Sequence, residues 1–216
     1  MSKKEGFFLK LRVAFVLCLA LAPIPAVADT IYDNGPINGN TDAWTINFGF
    51  VVSDTFTVGA GGATITGLDF GAWLYSTGDV LENAEVSLTS SEFGGTTYFD
   101  GVVNFTQSAC SINEFGFQIC DESGSFNGPS LSGGTYWLNL QNAVVNDGDP
   151  VFWDENSGPS QASHNSVGTI PSESFTILGT TTGGTSEHGT VPEPNSMLLF
   201  GSTVLGLAGF LRRKLL

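Results

Sequence analysis

Between Arg12 and Arg212 the 216-residue sequence contains no lysine or arginine. All seven cations sit at positions 3, 4, 10, 12, 212, 213 and 214, while nineteen of the 21 acids fall within 29–191. That span therefore carries a formal charge near −19, against −14 for the whole chain, opposed only by His164 and His188. Nucleic-acid binding needs Lys or Arg on the phosphates, and phosphate-handling sites need Arg, Lys or a Gly-rich loop with Lys; both are excluded. Ordinary salt bridges are excluded too. The acids must be solvated, hydrogen-bonded or cation-bound, and a solvated anionic surface is the simplest of these.

Cysteine is scarce, with one at Cys18 and two more at Cys110 and Cys120. In an exported chain the last two meet an oxidising environment. They flank "SINEFGFQI", a separation that suits a disulfide across a hairpin or small loop; two free thiols are the alternative. Helical periodicity is scarce as well. Strand chemistry takes its place, in short runs of Thr, Val, Ile, Phe, Tyr and Trp cut by Gly, Asn, Asp, Ser and Pro. Such runs occupy 44–52, 55–58, 63–75, 84–91, 96–106, 134–145, 150–156 and 173–179. Their spacing predicts an all-β fold, a single β-sandwich or jelly-roll-like domain over 29–179. A β-solenoid would need a fixed internal period, and none is found. From 180 to 190 the composition shifts to Gly, Thr and Ser, the pattern of a linker.

The two ends carry the strongest signals. Lys3, Lys4, Lys10 and Arg12 precede an apolar core at 13–22, followed by Ala26-Val27-Ala28. These are the three parts of a secretory signal peptide over 1–28, with cleavage between Ala28 and Asp29. At the other end Val191-Pro192-Glu193-Pro194 precedes fifteen apolar or small residues, Met197 to Leu211, and then Arg212, Arg213 and Lys214. Fifteen residues make a helix of roughly 22 Å, short of the ~30 Å hydrocarbon core of a bilayer. With Asn195 and Ser196 added and the arginines snorkelling, it becomes a marginal single transmembrane helix. The basic cluster places its end in the cytoplasm and the domain outside.

The triplet, the marginal span and the basic cluster, in that order, resemble the PEP-CTERM sorting signal of Gram-negative bacteria, here over 191–216. The resemblance implies a transit anchor recognised by an exosortase, which cuts near the triplet, and an association with the cell surface and exopolysaccharide matrix. Its partners would be the export machinery, signal peptidase, the exosortase and exopolysaccharide. The protein would be anchored transiently in the inner membrane and then reach the cell surface or the extracellular space. A plain membrane anchor is the competing reading of the same residues. The middle region, with "GTYWLNLQNAVV" and "VFWDENSGPS", resembles β-rich domains that precede this signal in other such proteins and have no assigned activity.

Within the domain, two clusters carry candidate chemistry. Asp147, Asp149, Asp154 and Glu155 place four carboxylates within nine residues around a Gly and a Pro. Calcium takes six to eight oxygens at flexible geometry, so this segment is the candidate metal site, against a solvated acidic turn. It is not an EF-hand, and no other cofactor is implied. Tyr136, Trp137 and Trp153 are candidate glycan-stacking aromatics, against a simple role in the core. No catalytic residue is singled out: His164 has no nucleophile motif beside it, and carboxylates are too many for any pair to point to a glycosidase. The expected function is a structural or adhesive surface protein, with a glycan-binding module and a carbohydrate-active enzyme as alternatives.

Overall fold

The structure, a computed structural model, describes residues 28–182. These residues form thirteen strands and no helix, so the all-β expectation holds. The tail span and almost all of the leader lie outside the described residues.

One half of the sheet centres on β4 (Ala63–Leu74). One edge of β4 pairs antiparallel with β13 (Phe175–Thr181) and then, beyond Gly71, with β10 (Val151–Asp154). Its other edge pairs with β7 (Gln118–Ser125) and the short β8 (Ser130–Leu131). β1 (Asp29–Asp33) adds outside β13, and β2 (Ala43–Thr45) adds outside β10. The other half runs β5 (Leu81–Ser91), β9 (Gly134–Val145), β3 (Val51–Val58), β11 (Ala162–His164) and β12 (Gly168–Ile170). β6 (Gly94–Ile112) belongs to both halves. It pairs with β5 up to Asn104 and with β7 from Phe105 onward. This shared strand curls the sheet into a half-barrel, sandwich-like in its packing.

The inner surface is where alternation places the apolar side chains. Val52, Phe56, Val86, Leu88, Leu138 and Leu140 from one half meet Ile65, Leu68, Phe70, Leu74, Trp153 and Ile177 from the other, all at most 2 % exposed. Trp153 packs edge-on against Phe70 and Phe175, with centroids 6.1 and 5.5 Å apart. Gly71 marks a close approach on β4. A Cβ there would lie 2.5 Å from Ser174 Oγ and 3.0 Å from Asp154 Cβ, so any larger residue would push β10 and Ser174 away.

The sequence segment read as one run over 44–52 is two strands. Phe48 (φ 56°) and Gly49 (φ 87°) turn the chain between β2 and β3, sending them to opposite halves of the sheet. Cys110 and Cys120 form the expected disulfide, with Cα atoms 4.2 Å apart, across the β6–β7 hairpin.

Candidate functional site

Of the four carboxylates expected to share an ion, the structure brings together two. Asp147 and Asp149 lie in the turn after β9, where they meet Asp79 from the turn before β5; one oxygen from each of the three lies within 4.8 Å of the others. Asp149 accepts the Ser76 hydroxyl at 3.0 Å, and Asp79 accepts the Ser76 backbone N–H at 2.9 Å. Burial raises the Asp79 pKa, and Asp147 and Asp149 raise it further. Asp79 was not found from sequence because it lies 68 positions before Asp147.

Asp154 and Glu155 are elsewhere. Asp154, wholly buried, is a hub. Its Oδ1 accepts the Trp73 indole N–H at 2.6 Å and the Gly39 N–H at 2.8 Å, and its Oδ2 accepts the Asn38 N–H at 2.8 Å. Burial raises its pKa while these donors oppose the rise. Glu155 accepts the Trp44 indole N–H at 3.1 Å.

The three candidate glycan aromatics do not share a surface. Tyr136 is buried, with its hydroxyl donating to the Ser132 carbonyl at 3.0 Å. Trp153 is in the core, and its indole N–H donates to the Ser174 carbonyl at 2.9 Å. Trp137 follows Tyr136 on β9 and so faces outward; it lines an open groove with Glu92, Ser160 and Gln161.

A different aromatic cluster lies on the outer face of the β4 half. Trp73, Phe115, Phe117 and Phe152, with Thr41, Asp42 and Ala43, line a groove of about 380 Å³. Trp73 stacks on Phe115 at 6.1 Å and packs on Phe117 at 5.5 Å, while Phe117 meets Phe152 at 5.7 Å and Tyr75 at 5.9 Å, both edge-on. Phe115 and Tyr75 are more than half exposed. Phe115 and Phe117 had no strand pattern to flag them, because they belong to the hairpin tip.

Several acids are buried with no cation among the described residues. Asp54 is pushed up to about 7 by burial, against the opposing pull of Ser160 and of the Glu173 and Thr55 N–H groups. Glu122 is pushed up to about 8 by burial and by Asp121. Glu173 is raised well above the carboxylate range, first by burial and then by Asp54. Neither Glu122 nor Glu173 has a hydrogen-bonded side-chain oxygen. His164 stacks on Phe50 at 5.2 Å and contacts the Ser166 hydroxyl through Nδ1 at 2.9 Å. Burial lowers its pKa.

The tail decides the sorting question. Residues 190–214 match the family model of the PEP-CTERM protein-sorting motif. The tail is a PEP-CTERM motif. The match takes in Val191, Pro192, Glu193 and Pro194 as well as Arg212, Arg213 and Lys214. The PEP-CTERM motif implies export, membrane-anchored transit and processing by an exosortase. The PEP-CTERM match begins at 190, beyond the last described strand, so the motif and the β domain are separate parts of the sequence. Among curated proteins none matches the chain.

Proposed function

We propose that this exported PEP-CTERM protein is a structural or adhesive component of the cell surface and extracellular matrix, held there through exopolysaccharide. The PEP-CTERM match at 190–214 carries the reading. The domain's composition supports it. Among residues 28–182 there are eighteen acidic residues and no Lys or Arg; six of the acids are buried, and the other twelve make an anionic surface that favours solubility and keeps off anionic membranes. A disulfide-closed hairpin suits an oxidising compartment. In a host with the exosortase, the protein is expected to fractionate with exopolysaccharide; with the protease deleted it should remain as a longer, membrane-bound precursor. A protein found in the inner membrane in both hosts contradicts the reading.

Calcium is proposed as an accessory ion at Asp79, Asp147 and Asp149, on the convergence of these three carboxylates from two turns. Calcium tolerates irregular oxygen geometry, whereas magnesium demands an octahedron and keeps its waters. A ligand bound only by the folded state raises stability by mass action. Millimolar calcium should raise Tm more than magnesium does. Equal shifts indicate charge screening, and no shift removes the ion from the proposal.

A further inference from the structure

We infer that the outer groove between the 38–43 loop and the β6–β7 hairpin is the binding site for a neutral polysaccharide. The inference rests on the matrix reading above and names the surface that would do the binding.

The groove is built rather than incidental. Asp154 holds the wall and the floor together, because the same buried carboxylate accepts Trp73 Nε1, Gly39 N and Asn38 N. Asn38 then shapes the loop, accepting the Asn40 and Thr41 N–H groups at 2.8 and 3.1 Å. Asn113 fixes the opposite wall. Its Oδ1 accepts the Phe115 and Phe117 N–H groups at 3.1 and 2.9 Å, and its Nδ2 donates to the Gly39 carbonyl at 3.0 Å. Gly39 is thus clamped from both sides, and the Cys110–Cys120 disulfide closes the base of the hairpin that carries the two phenylalanines.

The lining chemistry selects the occupant. Aromatic faces take the C–H face of a pyranose, and sugar hydroxyls donate to carboxylates such as Asp42, exposed at the rim. The volume of about 380 Å³ falls within the range of small-ligand clefts. Charge removes the competitors. With eighteen carboxylates and no Lys or Arg among residues 28–182, the domain repels acidic polysaccharides, nucleic acid and anionic lipid. A second copy is disfavoured for the same reason, since pairing would bring two strongly anionic surfaces together. A neutral saccharide has no charge to be repelled, and it uses both the rings and the acceptors.

The test is affinity electrophoresis of the protein purified from its host's envelope. Native gels would contain dextran, a galactomannan, hydroxyethyl cellulose, alginate or the host's own exopolysaccharide. Retardation is expected on at least one neutral polymer, none on alginate, and little change with added salt. Phe115→Ala with Tyr75→Ala should weaken the interaction about tenfold. Both residues are more than half exposed, so Tm should hold. Trp137→Ala, on the other groove, should bind as the parent does. The inference is overturned by equal retardation of the Phe115→Ala/Tyr75→Ala variant, by loss confined to Trp137→Ala, or by binding that salt abolishes, which marks a cationic partner. It is also overturned if no neutral polymer retards the parent. In that last case, continued co-fractionation with exopolysaccharide keeps the matrix reading and removes only this groove, whereas release into the medium removes both.

Discussion

Glu122 sits on the inner face of β7 opposite Phe70, fully buried, with neither carboxylate oxygen hydrogen-bonded. A charge there would be uncompensated, so the group holds its proton up to about 8. Asp54, held up to about 7, adds to the same effect. Below the ordinary carboxylate range both folded and unfolded chains are protonated and this stabilisation is fully present. Above it the unfolded chain releases the proton while the folded one keeps it, so stability falls with rising pH until the folded groups titrate near 7 and 8. The slope is about 1.4 kcal/mol per pH unit for each group in that window. Tm should therefore be higher at pH 5 than at pH 8, and Glu122→Gln should flatten part of the difference by stabilising the protein at pH 8. A Tm that rises from pH 5 to pH 8, or a Glu122→Gln variant with the parent's slope, contradicts this. At the same scale, strand geometry explains which site residues the sequence could reveal. Neighbours on a strand point to opposite faces, so Tyr136 and Trp137 part, and Asp154 parts from Glu155 where β10 ends. Proximity in sequence grouped them. Only Asp147 and Asp149, on a turn, stay together.

β7 was invisible to pattern reading for a physical reason. Its inward positions are Gln118, Cys120, Glu122 and Gly124, with Ile119 on the other face, so its buried side carries polar and small groups where apolar ones would mark a strand. β1, β11 and β12 have no more than five residues each and leave little periodicity to detect. By contrast β4, β5 and β9, which are long and rich in apolar and β-branched residues, were legible. The β6–β7 hairpin is recovered through its cysteines instead. Its disulfide closes a loop of about eleven residues, which in the chain-entropy model contributes about 2–3 kcal/mol. Replacing both residues, Cys110→Ala with Cys120→Ala, should lower stability by that amount in chemical denaturation at constant m. Cys110 is exposed and Cys120 is in the core, so Cys110→Ala alone separates the crosslink from the lost packing. An unchanged midpoint in both variants would mean that the bond does not constrain the hairpin.

On the scale of the whole molecule, the sequence shows transport more plainly than it shows ligand chemistry. Transport is written in a local, ordered signal, the PEP-CTERM tail matched at 190–214, and the basic, apolar and small residues at the N-terminus are expected to add a second. The candidate groove is assembled from four distant segments, the 38–43 loop, β4, the hairpin tip and β10, and only folding brings them together. The sheet curled by β6 provides the rigid face on which they converge. The motif also accounts for a short apolar run, Met197 to Leu211: a tail processed by an exosortase would need to hold the domain only until the cut. The mass of the C-terminal peptide of the mature protein, recovered from a host that has the protease, tests this most directly. With no Lys or Arg between 29 and 191, trypsin leaves that span uncut, so its mass reports the end of the chain. It should stop near Pro194 and lack Met197 to Leu216. Protein that still yields "GFLRR" as its dominant C-terminal sequence would show that the tail is a permanent anchor.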